Sequence, residues 1–366
     1  MRLSSRKSVC SPVAPQRFTG NPVSVYTHCE TAVAENFERK GMSGRAPRYA
    51  TMLVWLRLKL ACSVFHREVF AVQAEGERTE LKIKTVVYAT DLSLCCQNAG
   101  FYAAFLAQFF SAELLVTHAF ILSQAAMEVE FDPALVSEQR KDLASLLSRK
   151  AAKLSRDGMR SSPALVEGDP RKVLVELADE HGPSLMVVGT HGGGWIQREI
   201  IGSVAETILR STSWPVLTVG PQVRSAAAED LRFKHILYAT DFTPSAAGAA
   251  MYAACFAEAF GARIDVLNVI ERESLDRPDR LRELSHSFAQ ALNKCLPRRA
   301  EEFSNPRTFV EVGDAHRQIL QHIKDHDVDL LVLGIQKASH LGIGSRNSQA
   351  FQIILHAICP VLTIAG

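Results

Sequence analysis

Several things are missing from these 366 residues, and each absence removes a class of protein. No run is long and apolar enough to cross a bilayer; the most apolar stretch, Met52 to Val72, is interrupted by Arg57, Lys59, His66, Arg67 and Glu68. The basic start (Arg2, Arg6, Lys7) leads into polar, proline-containing sequence rather than the apolar core of a secretory signal. The eight cysteines include no C-x-x-C pair and no metal-ligand spacing, and Cys95 and Cys96 are adjacent, an awkward geometry for a disulfide. A reducing, cytoplasmic setting is the expectation. A net charge of +2 gives no electrostatic case for nucleic acid or for an anionic membrane as partner. Gly-Lys-Ser/Thr, the mark of a P-loop, is also lacking.

What is present is an ordinary globular composition, 47% hydrophobic and 22% charged, with the charge unevenly spread. Residues 1–80 hold 12 Lys+Arg against 7 Asp+Glu, a net of +5, so the remainder carries 29 against 32, a net of −3. The leading 80 residues are expected to be a poorly structured extension or the product of a start assigned too far upstream.

From Leu81 onward the chain repeats itself. Lys84-Thr-Val-Val-Tyr-Ala-Thr-Asp91 returns as Lys234-His-Ile-Leu-Tyr-Ala-Thr-Asp241. Leu185-Met-Val-Val-Gly189 returns as Leu330-Leu-Val-Leu-Gly334, and Trp214-Pro-Val-Leu-Thr-Val219 as Cys359-Pro-Val-Leu-Thr-Ile364. Two domains follow, residues 82–220 and 232–366, joined near Pro221 to Asp230. Within each, short continuous apolar strands alternate with amphipathic helices, for example Val173, Leu174, Leu177 and Ala178 on one face. Such alternation predicts a parallel α/β sheet covered on both faces, with ligands beyond the carboxyl ends of the strands.

Gly189-Thr-His-Gly192, nine residues, then Gly202-Ser203 stands between an apolar strand and a helix. Glycines admit an anion to the backbone N–H groups, and a helix N-terminus favours negative charge. Asp91 closes the first strand and is expected either to meet a ligand or to cap a helix starting near Leu94; Ser203 has the same two readings. Asp169 and Asp314 follow glycine and read as turn residues. His118 and His191 have no partners at metal or triad spacing, so neither a metal site nor a catalytic group is assigned.

With Ala-Thr-Asp ending the first strand, the Gly-x-x-Gly-x9-Gly-Ser loop, Val204-Ala-Glu after it and the Pro-Val-Leu-Thr-Val last strand, the chain resembles the universal stress protein family over residues 82–366. The resemblance implies two tandem Rossmann-like, five-stranded parallel α/β domains paired through their last strands. It also implies ATP, with or without Mg2+, bound by the first domain in a stress-response role. The residues carried over are Gly189, His191, Gly192, Gly202, Ser203 and Val204 at the phosphates, with Asp91 and Ala119 at the nucleoside. Gly193 stands where the family often has arginine, leaving His191 and Arg198 as nearby cationic candidates. In the second domain Lys337 replaces the second glycine and only six residues precede Gly344-Ser345, so no ATP is expected there. Alternatives are a slow ATPase or nucleotide hydrolase of the same fold, and a ligand-free dimerisation scaffold. ATP, a second copy of the chain meeting through exposed final strands, and an unnamed protein effector are the expected partners.

Overall fold

The strands form where the apolar runs stand. In the computed structural model, β1 (Thr85–Ala89), β4 (Ser184–Gly189), β6 (His235–Ala239) and β9 (Leu330–Ile335) are buried along almost their whole length. A strand can be apolar on both sides only if both faces of its sheet are covered. Here they are. Val86 and Tyr88 face one core cluster, while Val87 and Ala89 face the other. The first cluster is closed by α1 (Gln97–Phe109), α2 (Pro133–Leu154) and α5 (Pro244–Phe260). The second is closed by α3 (Pro170–Glu180), α4 (Ser203–Ser211), α6 (Ala315–Asp325) and α7 (Gln349–His356). The structure describes residues 81–121, 133–155, 159–182, 184–191, 201–225, 230–270, 306–336 and 349–366. The expectations for residues 1–80, Gly192, Gly193, Arg198 and the 337–348 loop lie outside them.

The remaining strands are β2 (Glu113–Phe120), β3 (Ser161–Glu167), β5 (Val216–Val219), β7 (Arg263–Ile270), β8 (Arg307–Val312) and β10 (Val361–Ala365). All ten form one sheet in the order β3-β2-β1-β4-β5-β10-β9-β6-β7-β8. Each half has the same internal order, third-second-first-fourth-fifth, and every pairing inside a half is parallel. The order reverses between β1 and β4, which opens a crevice beyond their carboxyl ends.

The halves join where β5 and β10 pair antiparallel, Leu217 opposite Leu362. The join is reciprocal: Thr218 Oγ1 donates to the Val361 carbonyl and Thr363 Oγ1 to the Val216 carbonyl, both at 3.1 Å. This bears out the pairing through last strands. It also corrects the expectation that those strands are exposed for further assembly, because each is the other's partner and the outer edges of the sheet are β3 and β8. On one face an aromatic seam crosses the join, with Phe109 of α1 stacked on Phe260 of α5 at 3.9 Å between centroids. On the other face the Arg210 guanidinium of α4 sits 4.6 Å from the centre of the Phe351 ring of α7. Among the described residues no helix is long and apolar enough to cross a membrane.

Candidate functional site

The crevice of the first half is built from three chain segments. The first is the end of β1. The Thr90 N–H donates to the Thr117 carbonyl at 2.9 Å, and His118 Nδ1 lies 2.8 Å from the Thr90 carbonyl oxygen. A carbonyl only accepts, so His118 carries a proton on Nδ1. The Thr90 hydroxyl accepts from Leu92 N at 3.0 Å, and Leu92 takes a positive φ of 66° to turn the chain. Asp91 Oδ1 then accepts from both the N–H and the hydroxyl of Ser93, at 2.9 and 2.6 Å. This corrects the expected capping role of Asp91. Helix α1 starts only at Gln97, its N-cap is Cys96, and Asp91 makes a side-chain turn ahead of it. The second half repeats the device with Asp241, Phe242 and Thr243.

The second segment is the end of β4. A Cβ added to Gly189 would meet Cys96 Sγ at 3.2 Å, so glycine there lets the strand end pass close under the start of α1. Thr190 follows, and its carbonyl accepts the Gly202 N–H at 2.9 Å. That bond pinches the base of the 191–201 loop. His191 Nδ1 lies 2.9 Å from the Thr190 hydroxyl.

The third segment is the start of α4. Its N-cap is Gly202, and among the described residues no side chain caps it. Ser203 is the first helical residue rather than the cap, a second correction. The Asp169 and Asp314 turn residues are the ones that cap. Asp169 accepts from Arg171 N at the start of α3, and Asp314 from Arg317 N at the start of α6. Two helices of the same face are therefore closed by a carboxylate, while no described side chain caps the first turn of α4.

These segments enclose a cavity of about 320 Å³. Asp91, Ala119, Gly189, His191, Gly202, Ser203 and Val204 all line it. Gly192, the eighth residue singled out by the sequence, lies outside the described residues. Ala119 belongs to β2 itself rather than to the turn beyond it. Cys96, Thr90 and His118 line the cavity as well but were given no ligand role in the sequence. Cys96 could not be anticipated, because its position follows from where α1 starts. His118 carries one signal, its place one residue before Ala119. Burial, then the Asp91 carboxylate, push the Cys96 thiol up to about 11, so it is a neutral thiol in the pocket wall. The described walls carry one carboxylate, two imidazoles and no Lys or Arg.

The second half offers a different loop base. Helices α4 and α7 both end four residues before a proline, Pro215 and Pro360. Counted back from there, Ser203 corresponds to Ser348, not Ser345, and Gly202 to Asn347. The second loop is then the same length as the first, with Lys337 and Asn347 in place of two glycines. Ile335 stands for Thr190, and its carbonyl is bonded by the Gly366 N–H at 3.0 Å.

Comparison with known proteins agrees with this architecture. The model of the universal stress protein family matches residues 82–220 and 232–365. A universal stress protein of Methanocaldococcus jannaschii is 30% identical over 138 residues, which is 37% of this chain and 81% of that protein. The crystal structure of a universal stress protein from Archaeoglobus fulgidus superposes with a TM-score of 0.57 at 19% identity, covering 77% of this chain and 98% of that one. Another universal stress protein was solved in complex with cAMP; it is 26% identical, covers 38% of this chain and 98% of that chain, and has a TM-score of 0.28. Two matched segments, the two-fold repeat of one strand order and a shared fold lead to one conclusion: the chain belongs to the universal stress protein family and carries two copies of its domain.

Proposed function

We propose that the first copy is a regulatory nucleotide-binding module whose ligand is ATP, taken with Mg2+, and that it works in a cytoplasmic stress response. The observation that carries this reading is the uncapped start of α4, which opens into a cavity while α3 and α6 are closed by Asp169 and Asp314. A phosphate accepting from the Ser203 and Val204 amides would do for α4 what those carboxylates do for their helices. Conformation does not call for glycine at 202: its φ is −60° and an added Cβ would meet the Thr190 carbonyl at an ordinary 3.4 Å. Glycine at that position leaves the approach of an anion unobstructed. Ala119 and Asp91, which line the same cavity, would meet the base and the ribose. With no Lys or Arg in the described walls, a bound Mg2+ would supply charge compensation for the phosphates. Asp91 Oδ1 already accepts two hydrogen bonds from Ser93, which suits it to binding better than to activating water. The ligand then acts by favouring one of two states of the domain pair, through its differential affinity for them.

The test is calorimetric titration of the full chain with Mg-ATP beside Gly192→Lys, which writes the lysine of the second copy into the first. One ATP per chain, lost in the variant, is expected. Two ATP per chain would refute the one-site assignment, and no binding by the wild type would refute the nucleotide reading in favour of a ligand-free scaffold. Release of phosphate at a rate abolished by Asp91→Ala would overturn the view of the site as a binding module.

A further inference from the structure

In the second copy, α6 and α7 lie side by side and bring His316 and His356 together, with ring centres 5.4 Å apart and planes at 64°. In the first copy the corresponding positions on α3 and α4 are Arg171 and Ser211. There Arg171 is held by Asp169, with Nη2 2.7 Å from Oδ2. Both facing positions are thus histidine in the second copy and neither is in the first.

The ring nitrogens are already sorted. His356 Nδ1 lies 2.8 Å from the Gln352 carbonyl oxygen, so Nδ1 holds the proton and the neutral ring keeps its lone pair on Nε2. His316 turns Nδ1 toward Asp314, 3.9 Å from Oδ1. Its Nε2 is buried and has no hydrogen-bond partner. A buried nitrogen without a partner is costly. A carboxylate near one ring nitrogen, though beyond hydrogen-bond distance, leaves the other nitrogen of His316 to face a ligand. The spacing agrees. Two nitrogens ~2.1 Å from one tetrahedral ion, with ring centres ~1.1 Å farther out, put the centres ~5.2 Å apart.

We propose that His316 and His356 clamp one divalent first-row transition-metal ion of the zinc, copper or nickel type, with Asp314 orienting His316 and water completing the coordination. Two imidazoles exclude Mg2+ and Ca2+, which take oxygen ligands. Among the described residues no group of three or more His, Cys, Asp or Glu is gathered around a metal seat. The clamp therefore supplies two protein ligands and holds its ion more weakly than a closed four-ligand site.

The test uses the full chain with 15N-labelled histidine, kept reduced and titrated with Ni2+, beside His316→Arg and His356→Ser. These variants install the residues that the first copy carries at the same places; circular dichroism checks their folding, and His316→Gln and His356→Gln replace any variant that fails. The expected result is that Ni2+ broadens the ring signals of His316 and His356 together, and that each single substitution leaves the remaining ring unbroadened at the same concentration. Equal broadening of the remaining ring in the variants, or no joint broadening in the wild type, would overturn the proposal.

Discussion

Replacing Asp265 probes the most charged place in the core. Asp265 of β7 is fully buried, and three side chains converge on it. Arg307 of β8 donates from Nε at 2.9 Å and from Nη2 at 2.8 Å. His322 Nε2 of α6 lies 3.3 Å from Oδ2. His235 Nε2 of β6 lies 2.9 Å from the same oxygen, without good hydrogen-bond alignment. Burial alone would raise this carboxyl, but His235, His322 and Arg307 outweigh it and hold the pKa well below the ordinary carboxylate range. Asp265→Ala removes the acceptor of His322 and Arg307 and the carboxylate beside His235. Breaking such a pair from one side costs about 3–5 kcal/mol. The lower end applies, since the Arg307 side chain is 47% exposed and can turn to water. The first copy shows what an uncharged version looks like, with Thr85, Leu115 and Leu177 at the positions of His235, Asp265 and His322. The triple variant His235→Thr, Asp265→Leu, His322→Leu is expected to recover most of the loss, as apolar replacements of buried ion pairs often do. Phe309, packed 4.7 Å from His322 where the first copy has Ala164, limits the room for a larger gain. Equilibrium urea unfolding at pH 7 measures all three proteins. Because the native pKa is depressed, the stabilisation is fully present above the unfolded carboxylate pKa and is lost as pH falls below about 4. A loss under about 1 kcal/mol in Asp265→Ala, or a triple variant no more stable than the single one, would refute the reasoning.

Two further outcomes follow from the local environments. Alkylation at pH 8, read by peptide mass spectrometry, should mark the exposed Cys95 well before the buried Cys96, whose thiol stays protonated; equal rates would mean that the start of α1 opens readily. The Asp169 carboxyl, held down to about 2 chiefly by its hydrogen bonds from Arg171, should show an NMR titration midpoint near that value and return to the ordinary carboxylate range in Arg171→Ala. An unchanged midpoint would remove Arg171 as the cause.

The repeat, the strand order and the crevice were legible because they rest on short-range patterns: apolar runs such as Val86-Val87-Tyr88, and glycines next to a strand end. Two of the corrections concern the first turn of a helix. Asp91 looks like a cap because a helix must start soon after it. The positive φ of Leu92 and the turn with Ser93 delay that start to Gln97. Gly202-Ser203 offers two candidate caps, and sequence cannot say which peptide turns first. The Asp265 cluster was not legible from spacing, since its members lie on three strands and a helix and meet only through the parallel register that sets Asp265 beside Leu237 and Arg307. A trace existed in the repeat itself, where Leu115 and Leu177 both become polar in the second copy, but the trace has no meaning until the two positions are known to touch.

The divergence of the two crevices comes down to one carbonyl at the base of each loop. In the first copy the Thr190 carbonyl takes the Gly202 N–H and draws the start of α4 to the end of β4. In the second, the equivalent Ile335 carbonyl takes the N–H of Gly366. The residue of the first copy that corresponds to Gly366 is Pro221, which has no N–H to give. Proline after β5 therefore does two things at once. It ends the last strand of the first half, and it keeps a rival donor away from the carbonyl that closes the loop. The second copy lacks the two loop glycines, while its turn at Asp241 is preserved almost atom for atom. The turn is kept in both copies although the loop sequences differ, so it serves the strand end rather than the loop. The Thr-Asp turn belongs to the strand end in either copy, whereas the glycine before α4 belongs to the first copy, where the second has Asn347.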